Sequence, residues 1–248
     1  MNRQEDWEGG TWEGARRSRV LRAQKRSVRE RLELLEAMGE TSKRLAEAGA
    51  ERRVDRHRLL IVPRWGAGPE DDWYPWLLAE VGRGRSFAPA VVADMPRPDE
   101  PVIEDWVARL SVLAGKDPAA LANTVLVGHS VGCRAVLHFL AGLSPGLNVR
   151  GTLMVAGWWT VDEPWETLLP WIERPIDLDR ARESAGEVRV LVSDNDPFTS
   201  DQQTNTRLWR ERLGAAVRLV SGAEHFNSRR EAEVLAELER LGSPPGGG

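Results

Sequence analysis

The stretch of this chain whose residue types and spacing point most directly to chemistry is Gly128-His129-Ser130-Val131-Gly132. Glycine two places before and two places after a serine suits a sharp strand-to-helix turn, where a Cβ at either place would crowd the backbone. Such a turn lifts the serine hydroxyl above the sheet. It also aims the next helix N-terminus at that hydroxyl, so the Val131 amide can donate to an oxyanion. The chemistry this suits is acyl transfer. A plain Gly-Ser-Gly turn has the same composition, so the flanks decide. Thr124-Val125-Leu126-Val127 reads as a buried strand running into Gly128, and a helical pattern follows to about Leu143.

A serine hydroxyl attacks a carbonyl only after a base takes its proton. The chain holds 4 histidines. His57 lies among charges near a boundary and is expected at the surface. The His129 ring should point away from the neighbouring hydroxyl, and His138 falls two turns into the following helix. His225 follows a strand, in Ser221-Gly222-Ala223-Glu224-His225-Phe226, on a loop before the last helix. The order serine, acid, histidine puts the base there. The orienting acid should follow the preceding strand, where Ser193-Asp194-Asn195-Asp196-Pro197-Phe198 offers two carboxylates. Asp196 is the choice, Asp194 being suited to capping the turn and Asp201 to capping the next helix. A second oxyanion donor should come from Pro63-Arg64-Trp65-Gly66-Ala67-Gly68, through the backbone amide of Trp65 or of Arg64.

Around these residues, apolar strands alternate with amphipathic helices: strands at 59–62, 90–92, 124–127, 152–155, 188–192 and 217–220, and helices near 73–81, 101–113, 202–213 and from about 228. This predicts an α/β fold with a mostly parallel sheet covered by helices on both faces. Residues 1–58 hold 15 Lys and Arg against 11 Asp and Glu, and the rest 19 against 27. That shift, with helix formers before it and β-branched runs after it, divides the chain. A helical extension of two helices is expected over 1–55, the α/β domain over 56–242 and a flexible tail over 243–248. Within the extension, Ser27-Val28-Arg29-Glu30 is a capping-box pattern, followed by Leu32, Leu35, Met38 and Leu45 at roughly helical spacing. Acidic residues interleave its Arg16–Arg31 stretch, so it reads as a solvated face of a helix pair that docks on its own core or builds a homodimer.

A net charge of −4 over 248 residues gives no reason to expect nucleic acid as a partner. The polar start is unlike a signal peptide, no apolar run is long enough for a membrane span, and the single cysteine, Cys133, suits a reducing compartment, so a cytoplasmic protein is expected. Tryptophan is abundant, 11 residues against one tyrosine. Trp158, Trp159, Trp165 and Trp171 cluster after the fourth strand, where they could wall a pocket or form a small core under a long loop. Trp65, Trp158, Trp159 and His129 are the candidate substrate-binding side chains, Trp158 being nearest the strand end.

Several of these motifs, in this order, resemble the family of small serine hydrolases typified by bacterial YdeN and human retinoblastoma-binding protein nine. Asp72-Trp73-Tyr74-Pro75-Trp76 resembles that family's Trp-Tyr-x-Trp signature. Asp94-Met95-Pro96-Arg97-Pro98 resembles its Met-Pro-x-Pro turn. The Gly128–Gly132 stretch, Asp196-Pro197-Phe198 and Gly222-Ala223-Glu224-His225-Phe226 match the rest, over about Leu59 to the last helix. The resemblance implies a compact α/β-hydrolase with little lid, a Ser130-Asp196-His225 triad, no metal or organic cofactor, and carboxylesterase or peptidase-like activity. The bulky Arg64-Trp65 departs from the Gly-rich stretch usual there, which would narrow the pocket or shift the oxyanion donor.

The expected function is therefore hydrolysis of a small-molecule ester or amide through an acyl-enzyme. The alternative is a binding protein that keeps the fold and works through the N-terminal helices.

Overall fold

Leu59 and Ile61 turn to one face of a sheet and Leu60 and Val62 to the other, and both faces are covered. That is why the inner strands carry short apolar runs, at residues 59–62, 125–127 and 153–155: with both sides buried, a period of two leaves no polar position there. The computed structural model describes Arg29, Gly39, Glu40 and residues 56–243. The chain falls into two units, Met1–Val54 and Asp55–Gly248, and the sheet belongs to the second. Apart from Arg29, Gly39 and Glu40, each helical, residues 1–55 lie outside the described residues, as do the tail beyond residue 243 and the dimer expected through the helix pair.

The described elements of the second unit, in order, are β1 (His57–Val62), α1 (Tyr74–Arg83), β2 (Phe87–Val92), α2 (Ile103–Ala114), α3 (Pro118–Ala122), β3 (Thr124–His129) and α4 (Val131–Ala141). There follow β4 (Gly151–Val155), a 3-10 turn at Glu166–Leu168, α5 (Leu169–Glu173), α6 (Leu178–Ser184), β5 (Glu187–Ser193), α7 (Gln202–Leu213), β6 (Ala216–Val220) and α8 (Ala232–Gly242). The strands form one six-stranded sheet in the order β2-β1-β3-β4-β5-β6, and every neighbouring pair is parallel. Crossover helices must then cover the faces. Trp73, Tyr74, Leu77, Val234 and Leu238 pack against one face, and Trp106, Leu110, Val136, Leu140 and Trp209 against the other.

Parallel strands bring their C-terminal ends, and the loops that come after them, to one edge. Val62 pairs with Gly128, His129 with Val155, and Ser193 with Val220, so five loops open together. In an open α/β sheet this is the edge where ligands bind.

Three differences from the sequence reading have local causes. The last helix starts at Ala232, four residues later than expected, because the Glu231 carboxylate accepts from the Ser228 amide and closes a turn ahead of it. The short helices α3 and α6 were not anticipated: each is capped by an aspartate, Asp117 or Asp177, and buries too few side chains to show a period. His57, expected at the surface, is half-buried, with Nδ1 2.6 Å from Asn123 Oδ1 and its ring against Phe87.

Candidate active site

Ser130 occupies the single residue between β3 and α4, at φ 53° and ψ −118°. A serine in this positive-φ region is strained, and such strain is held only where the surroundings over-determine it. Here they do. A Cβ on Gly132 would lie 2.5 Å from the Val62 carbonyl oxygen and 2.6 Å from that of Pro63. One on Gly128 would lie 2.7 Å from the Cys133 nitrogen. The helix therefore packs on the strand ends with no room for any side chain at either glycine. The Ser130 amide donates to the Val155 carbonyl, tying the turn to β4.

His225 is buried on the loop between β6 and α8, with Nδ1 2.8 Å from Asp196 Oδ2. The other carboxylate oxygen of Asp196 accepts from the Phe198 amide, which fixes the carboxylate's orientation. Asp194 does different work: it accepts from the Ser221 hydroxyl and the Gly222 amide and so joins the two loops. Asp201 caps α7 by accepting from Thr204. With Nδ1 committed to Asp196, the Nε2 edge of His225 is left for the cavity that the residue shares with Ser130. Among the described residues no hydrogen bond joins Ser130 to His225 directly.

The cavity measures about 200 Å³ and is lined by Ser130, Val131, His225, Trp65, Trp158, Trp165 and Phe198, with Val161, Leu168, Arg64 and Asn227 completing it. Trp165 stands edge-on to Trp65, with ring centroids 5.3 Å apart, and faces Phe198 at 6.4 Å. Phe198 in turn lies edge-on to the His225 ring at 4.7 Å. The cation in the wall is not free. Arg64 binds both oxygens of Asp72 and donates its remaining nitrogen to the Trp65 carbonyl. The Arg64 amide is also committed, to the Tyr74 hydroxyl. By contrast, among the described residues the amides of Trp65 and Val131 donate to no protein acceptor.

Two candidate substrate-binding residues fall elsewhere. His129 is wholly buried behind the turn, with Nδ1 2.8 Å from the Tyr74 hydroxyl and Nε2 2.9 Å from the His225 carbonyl oxygen. Burial, then the neighbouring His225, hold its pKa well below the usual histidine value. Trp159 turns the other way, onto Trp209 and between the guanidinium groups of Arg134 and Arg212. Trp158 thus lines the cavity and Trp159 does not. Trp171 is likewise core, edge-on to Trp106. Sequence reasoning did not single out Phe198, Asn227 or Leu168 as cavity walls. They stand at no regular spacing and meet only because three loops converge. Among the described residues no cluster of His, Cys, Asp or Glu is placed to hold a metal ion.

A serine hydroxyl, an imidazole with a fixed orientation and two unpaired amides around one largely aromatic cleft can together support acyl transfer. The profile of the serine hydrolase family matches residues 59–240, nearly the whole sheet-bearing unit. The chain belongs to the serine hydrolase family. Among its relatives, this serine hydrolase is 29% identical over 175 residues to YdeN of Bacillus subtilis (strain 168), a span of 68% of this chain and 85% of that one. The crystal structure of that ydeN product superposes with a TM-score of 0.65 and 26% identity, covering 75% of this serine hydrolase and 98% of its relative. A YdeN-like hydrolase of Pectobacterium atrosepticum shares the fold, with TM-score 0.53, 20% identity, and 83% and 100% of the two chains covered.

Proposed function

We propose that this serine hydrolase cleaves a small, uncharged carboxylic ester by way of an acyl-enzyme on Ser130. His225 Nε2 takes the hydroxyl proton while Oγ attacks the carbonyl carbon. The oxyanion accepts from the amides of Val131 and Trp65. His225 then gives the proton to the departing alcohol. Water, activated by the same imidazole, releases the acid and restores the serine. Asp196 holds Nδ1 protonated throughout and steadies the imidazolium.

The observation that carries this reading is the shared cavity: a strained, glycine-cradled serine faces a histidine whose other nitrogen is already spent on a buried carboxylate. The choice of an uncharged substrate rests on the wall, where four aromatic rings stand and the Arg64 charge is already paired with Asp72. An amide substrate would follow the same path with a poorer leaving group. The lone cysteine, Cys133, buried in α4, supports action in a reducing cytoplasm.

A fluorophosphonate probe and short p-nitrophenyl esters test the proposal together. Labelling at Ser130, and turnover abolished by Ser130→Ala, are the expected results. Folded protein that neither reacts with the probe nor loses turnover in the variant would overturn it.

A further inference from the structure

The Asp72-Trp73-Tyr74 triplet makes no contact with the cavity, yet each of its side chains reaches a loop that borders it. Asp72 pairs with the Arg64 guanidinium. Tyr74 accepts from the Arg64 amide and contacts His129 Nδ1. Trp73 donates its indole N–H to the Phe226 carbonyl at 2.9 Å. His129 Nε2 lies 2.9 Å from the adjoining carbonyl, that of His225. Two consecutive carbonyls of the histidine loop are therefore pinned from behind. The loop needs pinning: Glu224 and Phe226 both have positive φ, at 48° and 54°, with no glycine at either place. A run of this kind relaxes unless something outside it fixes the backbone.

The polarity of the chain follows from elementary donor counting. A carbonyl only accepts, so Nε2 of His129 carries a proton. A buried imidazole with no carboxylate partner stays neutral, so Nδ1 carries a lone pair. Tyr74 must then donate its O–H to Nδ1 while its oxygen accepts from Arg64. Every group is used once and in one direction: Arg64 N–H to Tyr74, Tyr74 O–H to His129, His129 N–H to the His225 carbonyl.

We propose that Trp73, Tyr74 and His129 are positioning residues that clamp the backbone of His225 against the Arg64–Trp65 segment, setting the distance between the base and the oxyanion donor. This rests on the reading of Ser130 as nucleophile and His225 as base, and extends it. Neither ring of the relay touches substrate. The effect is on the relative placement of two loops, which the Trp73 indole bond to the Phe226 carbonyl also ties together. Placement errors of about 1 Å cost on the order of a hundredfold in rate. The titratable and charged groups facing His129 are Tyr74 from α1, His225 from its loop and Arg64 from the end of β1.

The test joins histidine-labelled NMR on the full chain with steady-state hydrolysis of p-nitrophenyl acetate. In the wild type, His129 should show the Nε2–H tautomer and should titrate below the ordinary histidine window, if at all. Tyr74→Phe should shift the His129 Nδ1 resonance and lower kcat about ten- to a hundredfold, with KM within about twofold, measured below the melting temperature. His129→Gln, which keeps a donor for the His225 carbonyl, should retain more activity than His129→Ala. An Nδ1–H tautomer, a His129 titrating in that window, or Tyr74→Phe with wild-type kcat despite a lowered melting temperature would each overturn the clamp. A correct His129 signature in a chain whose turnover survives Ser130→Ala would support the relay's geometry and count against the Ser130 reading alone.

Discussion

Nδ1 of His225 lies 2.8 Å from Oδ2 of Asp196, and both side chains are sealed from solvent, at 6% and 4% exposure. The two residues are 29 apart in the chain and come from loops after β5 and β6, adjacent strands in the sheet. The contact is short because neighbouring parallel strands end side by side.

Asp196→Asn keeps the shape and removes the charge, leaving an amide that can present an N–H to Nδ1 and favour the wrong tautomer. Ester turnover should fall on the order of 10⁴-fold, the scale expected when a triad carboxylate becomes an amide and the histidine takes the wrong tautomer. KM should change little. Steady-state kinetics with a p-nitrophenyl ester measures both, and a loss under tenfold would refute the assigned role.

Gly132→Ala would press a methyl group onto two backbone oxygens that no rotamer can move, at 2.5 and 2.6 Å. A cost of about 2 kcal/mol or more is expected, because the helix must lift off the strand ends. The urea midpoint should drop, and fluorophosphonate labelling of Ser130 should slow at denaturant concentrations where the protein remains folded.

Trp165 is 40% exposed and leans on Trp65 and Phe198 across the cavity mouth. Trp165→Ala should leave stability within about 0.5 kcal/mol, as for most surface changes. It should raise KM for aryl or branched acyl esters roughly three- to tenfold, the worth of a lost aromatic contact, and leave that for acetate nearly unchanged. Equal effects on both substrates would contradict the proposed aromatic wall.

His138, half-buried on α4 beside Trp171, has its pKa lowered to about 4 by burial and then by Arg134. Its Nε2 finds no partner among the described residues. As pH falls below about 6.5, the unfolded chain takes up this proton and the folded chain refuses it until about 4. Stability should therefore decline across that window, by about 2 kcal/mol after allowing for solvent screening. His129 acts in the same sense, so the informative quantity is a difference. Between pH 7 and 4.5, His138→Phe should lose less urea stability than the wild type, and equal losses would count against the assignment.

The amino-acid sequence by itself determined the alternation of strands and helices, since a parallel sheet buried on both sides leaves short apolar runs at its inner strands, set between amphipathic helical stretches. It determined the turn at Ser130 as well, because two glycines at fixed spacing record a backbone approach that excludes any side chain. Asp196 and His225 were legible as candidates from their loops and their order along the chain. The tertiary structure decided which tryptophan faces the cleft, for Trp158 and Trp159 are neighbours with the same chemistry and only the direction of each ring separates them. It also decided that Arg64 is occupied by Asp72 and that His129 looks backward to Tyr74 and the His225 carbonyl. These are contacts between residues distant in the chain, and no local period or propensity encodes a hydrogen bond that forms only when separate loops meet at one sheet edge.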